Sequence, residues 1–234
     1  MPKQPRGRTG RRPLSDAAVE SHREHGLDGV KIRTIATRAG VSPGAIYRHY
    51  RGREELLAEV VRRGYDVLAQ YMHRCLEGTD VLDRLRRMER AYFDFAVENP
   101  KVYQTLFMLP EIPGIRRYPD DYAKRRSATF QIIVDRVAEC IGTGLLRKGD
   151  RLEIALTIWA HMHGFMAIYI VGRFAQDLDT TRAVYDRSMD RLNQGLFRSA
   201  NGTAAGRKVK RASMIPAAEA DDQRAGRRKS VARR

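Results

Sequence analysis

Between residues 32 and 50 two short segments of helical apolar spacing meet at Gly40-Val41-Ser42-Pro43, and this junction limits the fold more than any other feature of the chain. Ile35, Ala36, Ala39, Val41 and Ile46 are apolar or small at spacings that let two short helices pack across a tight turn. Glycine at 40 supplies the turn, because it enters left-handed backbone without a Cβ penalty. Serine followed by proline pairs an N-cap with a residue whose fixed φ suits the first helical position. The run therefore reads as a helix over 32–38, a break at Gly40 and a second helix from 43 to about 49.

The rest of the chain carries the same periodicity and no strand signal, so the fold class is all-α. Ser15 is placed to cap a first helix that Gly26 closes. A longer helix begins near Arg53, carries Leu56, Leu57, Val60, Val61, Val67 and Leu68, and runs to about Gly78. Asp80 caps a fifth helix, which Asn99-Pro100 must end because proline cannot continue it. A short sixth helix to about Met108, a loop over 109–118, and helices over 121–141, 150–173 and 180–198 complete about nine. The expected organisation is a basic arm at 1–12, a three-helix domain at 13–58, a helical bundle at 59–198 and a basic tail at 199–234.

The formal charge is +16, and its placement matters more than its sum. Residues 1–12 contribute +5 and residues 207–234 contribute +7, so the tails hold most of the excess. Both tails lack apolar periodicity and read as disordered in isolation. Within the body the excess concentrates between Lys31 and Arg53, which hold six basic residues and no acid. A polyanionic partner fits this pattern, and phosphates are the natural target.

The second short helix has the dimensions to lie in a DNA major groove about 12 Å wide. Arg33 and Thr34 on the preceding helix, with Tyr47, His49 and Arg53, can reach backbone phosphates. Ser42 can aim its hydroxyl and amide at another. Pro43, Gly44 and Ala45 are small enough to bring the helix tip to the bases, and Arg48 can pair bidentately with guanine. The competing reading of 32–50 is an ordinary helical hairpin with a solvated basic face. The run Val41-Ser42-Pro43-Gly44-Ala45-Ile46-Tyr47-Arg48-His49-Tyr50, followed by Arg53-Glu54-Glu55-Leu56-Leu57, resembles the TetR/AcrR family of bacterial regulators. The resemblance spans 15–57 and takes in the Gly26-Leu27-Asp28-Gly29-Val30 turn. It implies an operator-binding transcriptional regulator, by default a repressor, controlled by a small-molecule effector and acting as a homodimer. Tyr50 stands where the family more often has phenylalanine, and Arg53 where lysine usually touches a phosphate.

Large apolar side chains concentrate farther on in Tyr92, Phe95, Tyr103, Phe107, Trp159, Met162 and Met166, with His163 among them. An all-helical core needs such residues to fill volume, and an effector pocket would use the same types with a few polar groups to orient a ligand. Residues 85–175, including Trp159-Ala160-His161-Met162-His163-Gly164, resemble the tryptophan-histidine-glycine type of C-terminal domain of one branch of the family. That resemblance implies an effector-binding and dimer-forming domain. The residues themselves point to the eighth helix, whose wide apolar surface exceeds what one partner helix would cover, and to the ninth, with Val184, Leu192 and Leu196, as the dimer interface. The fourth helix, joining both halves, is the expected transmitter between them.

Other chemistry finds little footing. His161 and His163, two apart on a helix, point about 200° from each other and do not suit one metal ion. Cys75 and Cys140 stand beside no ligand cluster, so no metal and no cofactor are expected. There is no glycine-rich phosphate loop and no clear nucleophile–base pair, which argues against an enzyme. A structural nucleoid protein would fit the charge but leaves 32–50 unexplained. The apolar stretch at 154–171 is interrupted by histidines and glycine and does not read as a membrane span. With two cysteines and no secretory signal, a reduced cytoplasmic location is the expectation.

Overall fold

The computed structural model describes residues 10–108, 127–174 and 177–197. Most of the expected basic arm, the loop at 109–118, the start of the seventh expected helix and the tail from 199 lie outside the described residues. Within them the order is α1 (Arg11–His25), α2 (Ile32–Ala39), α3 (Pro43–Tyr47), α4 (Arg53–His73), α5 (Val81–Glu98), α6 (Pro100–Phe107), α7 (Ala128–Gly142), α8 (Arg151–Ile170) and α9 (Leu178–Leu196). Single 3₁₀ turns follow α1 and α4. Among the described residues the one β-type pairing is an isolated bridge between Leu146 and Phe197, so the all-α reading holds.

Local chemistry explains most boundaries. Gly26 and Gly40 take left-handed φ of 63° and 67° at the ends of α1 and α2. Asp80 accepts from the Asp83 amide at 2.9 Å, Asp150 from the amides of Leu152 and Glu153, and Asp177 from Thr180 at 2.9 Å. Each carboxylate takes up amides that a helix start leaves unpaired. Ser127 does the same for Phe130 and opens α7.

The start of α1 differs from expectation. The helix begins at Arg11, and Ser15 is not its cap but a buried interior residue whose hydroxyl donates to Glu59 Oε1 at 2.9 Å. Pro13 permits this, since the first-turn amides have no helical acceptor to lose. Tertiary contacts hold the added turn: the Tyr50 hydroxyl donates to the Arg11 carbonyl at 3.2 Å, and Arg11 pairs with Glu55 at 3.3 Å.

In the first three helices and the turns that flank them Leu14, Ala18, Val30, Ile35, Ala36, Ile46 and Tyr50 form the core, and α4 closes it with Leu56, Leu57 and Val60. Farther along α4, Leu68 and Met72 join the core of α5 to α9, so α1 to α9 fall within one compact unit. The wide apolar surface of α8 is covered unevenly. Ala155, Ile158, Met162 and Met166 are fully buried, whereas Ile168 and, just beyond the helix, Val171 are 48% and 53% exposed.

The turn after α1 leaves no room for a side chain. A Cβ on Gly29 would lie 2.2 Å from the Ser21 carbonyl oxygen, a backbone atom already fixed in α1. Gly29→Ala should cost about 2–4 kcal/mol, measured as a fall in denaturation midpoint. Gly52→Ala is the control, because a Cβ there meets nothing within 4 Å, and it should leave the midpoint nearly unchanged.

Candidate functional site

The α2–turn–α3 unit is built from opposed faces. Ile35 and Ala36 turn inward from α2, and Ala45 and Ile46 from α3. The amide of Gly40 bonds the Thr37 carbonyl at 3.1 Å and that of Val41 the Ala36 carbonyl at 3.0 Å, which finishes α2 while the left-handed glycine redirects the chain. Pro43 then starts α3, and the Ser42 hydroxyl makes no capping bond to that helix.

What the inward residues leave outside is the candidate nucleic-acid interface. Arg33 and Thr34 are exposed on α2 and, with Thr37 and Arg38, line a shallow open depression. On α3 and its flanks Ser42, Pro43, Gly44 and Arg48 are exposed, and Tyr47 presents 59% of its surface. An aromatic ring left in water at the tip of a short helix gains nothing from the fold itself. Ala45, expected at this surface, is only 6% exposed and packs inward with Ile46, because it falls on the core side of the helical turn. His49 is half-buried.

The exposed Arg53 has a structural task besides the phosphate contact expected of it. Its Nε donates to the Val30 carbonyl at 2.8 Å and an Nη to the Leu27 carbonyl at 3.1 Å. The guanidinium thus ties the start of α4 to the turn before α2, a fork that lysine could not make. Thr37 joins the exposed α2 face without having been singled out from sequence; its spacing from Arg33 and Thr34 was the available signal.

The second group of expected residues gathers around His163. Its ring stacks on Trp159 with centroids 5.1 Å apart and on Tyr103 at 5.7 Å, with Phe107 edge-on at 5.4 Å. Nδ1 lies 2.8 Å from the Tyr103 hydroxyl and 3.2 Å from that of Tyr92. Burial pushes the imidazole below its ordinary range and both phenols above theirs. Burial thus favours the neutral ring, and its Nδ1 shares a hydrogen-bonded cluster with the two phenols that takes in the His163 carbonyl, 3.2 Å from the Tyr103 hydroxyl. Met162 and Met166 are fully buried on the same helix. Phe95 does not join this cluster: its ring meets Tyr71 of α4 at 5.7 Å. His161 turns the other way, with Nε2 2.7 Å from Ser188 of α9, so the two imidazoles serve different neighbours.

Between these two groups stands α6. One side supplies Tyr103 and Phe107 to the cluster. Elsewhere on the helix the Thr105 hydroxyl lies 2.7 Å from His22 Nε2 of α1, both residues being buried, and Lys101 donates to the Glu24 carbonyl. Burial first, and the Lys101 charge second, hold His22 below the ordinary histidine range. Val102 and Leu106 press on Gly64 of α4 so closely that a Cβ there would meet them at 3.0 and 3.2 Å. Neither the His22–Thr105 pair nor the α6–α1 contact was visible in sequence, since the partners lie 83 residues apart.

Comparison with known proteins bears on both regions. Residues 14–60 match the family model for bacterial regulatory proteins of the tetR family, and residues 85–192 match that for a tetracyclin repressor-like C-terminal domain. The HTH-type transcriptional regulator Rv1816 of Mycobacterium tuberculosis is 26% identical, over 78% of this chain and 86% of its own length. The HTH-type transcriptional repressor KstR2 of Mycolicibacterium smegmatis is 31% identical over 59% of this chain and 69% of its own. A solved protein of unknown function from Rhodococcus sp. RHA1 shares the fold with a TM-score of 0.68 at 24% identity, covering 85% of this chain and 100% of that one. With the helix-turn-helix at 32–50, the bundle that follows it and both family models in agreement, this chain belongs to the TetR family of DNA-binding transcriptional regulators.

Proposed function

We propose that this regulator is a homodimeric repressor that leaves its operator when a small molecule enters the bundle. The observation that carries the reading is the exposed tip of α3, where Tyr47 and Arg48 project from a helix whose other side is locked into the core. Arg48 reads a base edge, while Arg33, Thr34, Ser42 and Tyr47 hold the sugar-phosphate rails and Pro43 and Gly44 let the tip approach. His49 and the exposed Arg53 reach the same rails, Arg53 while also tying the turn before α2. The name of the KstR2 relative supports repression.

The division of labour follows the expected domains, with 13–58 reading DNA and 59–198 sensing and assembling. Tyr92, Tyr103, Phe107, Trp159, Met162, His163 and Met166 surround the effector, with the neutral His163 edge and the phenols as its polar anchors. The exposed Ile168 and Val171, with the outward sides of α8 and α9, pair with a second copy and set two α3 helices on one operator. Ligand and DNA then oppose each other by linkage. Because α6 carries both cluster residues and the partners of His22 and Glu24, it transmits alongside α4.

Two variants and the stoichiometry on DNA test this. Arg48→Ala should weaken operator binding by about 1–3 kcal/mol with little change on random DNA. Fluorescence anisotropy across a salt series reads both affinities, and sedimentation should find two chains per operator; unchanged discrimination, or one chain per duplex, contradicts the proposal. Thr105→Val strands His22 Nε2 in the interior and should cost about 1–3 kcal/mol of stability. It should also shift operator affinity of the effector-free protein, whereas a pair with no part in transmission would lower the melting temperature alone.

A further inference from the structure

A carboxyl group is buried in the seam between α5 and α9 and makes no ion pair among the described residues. Glu89 is 3% exposed, and among the described residues no arginine or lysine comes within ion-pair distance of it. The charges along the same seam are engaged with one another: Arg86 with Asp190 at 3.2 Å, Arg90 with Asp186 at 3.5 Å and Arg182 with Asp94 at 2.7 Å. Tyr185 donates to the backbone carbonyl of Glu89 at 2.8 Å, not to the carboxyl. What meets the carboxyl is Asn193 of α9, itself 1% exposed, whose Nδ2 lies 3.0 Å from one oxygen and 3.2 Å from the other.

The arrangement is incomplete for an ionised carboxylate. Two acceptor oxygens share a single amide group, while the Asn193 Oδ1 is buried with no donor. One proton repairs both faults. A carboxylic acid and a primary amide form a ring of two reciprocal bonds, in which the O–H donates to the amide oxygen and the amide N–H donates to the other acid oxygen.

We propose that Glu89 and Asn193 form a proton-dependent latch, closed when the carboxyl is protonated and its O–H donates to Asn193 Oδ1, and loosened when that proton passes to solvent and leaves a buried anion. The surroundings agree. Burial is the largest influence and pushes Glu89 up to about 7; Asp190 and Asp186 of α9 push the same way, while the Asn193 amide and Arg86 pull it down. From α7 the facing group is Cys140, whose thiol burial raises to about 12, and from α9 the Tyr185 hydroxyl, raised well above its ordinary value. Both are neutral in the physiological range, so neither settles the charge of Glu89.

The sign follows from linkage. The folded chain keeps the Glu89 proton up to about pH 7, whereas the unfolded chain releases it near 4.5, so this site's contribution to stability is lost as pH rises between those values. His22 and His163 act in the opposite direction. Their folded values are lowered, so what they add is present above the ordinary histidine value and lost as pH falls below it. A latch that loosens with rising pH weakens the buried tie between α5 and α9 while the ion pairs along the seam remain. Its effect on assembly rests on the dimer reading above, while the latch itself does not.

The test is a pH titration of the Glu89 carboxyl carbon by NMR in ¹³C-labelled wild-type protein, assigned through its own side chain. A midpoint near 7 is expected, with the other glutamates titrating in or below the ordinary range. In parallel, the melting temperature of Glu89→Gln minus that of wild type should climb by roughly 5–10 °C from about pH 5.5 to about pH 8.5, since the amide holds the closed pattern at every pH. A carboxylate signal already present at about pH 5.5, or a difference in melting temperature that does not move with pH, overturns the latch. Should Glu89→Gln fail to fold, the wild-type titration decides alone. Dimer mass by sedimentation across the same range separates the two ideas: a monomer whose Glu89 still titrates near 7 removes the dimer and keeps the latch.

Discussion

A five-residue helix has no stability of its own in water, because nucleation is not repaid over so few hydrogen bonds. α3 therefore exists only because Ala45 and Ile46 are buried on its α2 side and the following Tyr50 is buried with its hydroxyl on the Arg11 carbonyl of α1. That burial also fixes its rotation. With 45, 46 and 50 inward, residues 43, 44, 47 and 48 must face out, so the residues that build the core decide which ones are left on the surface. Gly40 sets the angle between α2 and α3, and the Arg53 fork holds the turn on which α2 begins.

A similar packing constraint acts on α6. α6 is short, yet it touches α1 through His22 and Glu24, α4 through Gly64, and the His163 cluster through Tyr103 and Phe107. A close-packed helix with three such attachments cannot shift at one without straining the others. The long α4 joins the halves by continuity. α6 joins them by contact, and its buried polar pair makes the attachment sensitive to small displacements, since a parted hydrogen bond in a dry site finds no water to replace it.

Much of this could be read from the chain before any coordinates. Gly26, Gly40, Ser42-Pro43, Asp80, Asn99-Pro100 and Asp150 act through their own backbone or their nearest amides, and the helices stop or start within a few residues of where these predict. Features decided by distant partners were not legible. Ser15 looks like a cap in isolation and is an interior residue because Glu59 accepts its hydroxyl, 44 residues away. Phe95 has the same composition signal as Tyr92 but meets Tyr71 instead of the His163 cluster. Ala45 differs from Gly44 only in which side of one helical turn it occupies. Glu89 and Asn193, 104 residues apart, carry no local signature at all.

That the tip of α3 enters the major groove is tested most directly by methylation interference on the unaltered protein. Guanine N7 lies in the major groove and adenine N3 in the minor groove. Methylated operator guanines should block binding in two clusters about one helical turn apart, roughly 34–36 Å. Interference at adenines alone, or at neither purine, would contradict a major-groove contact.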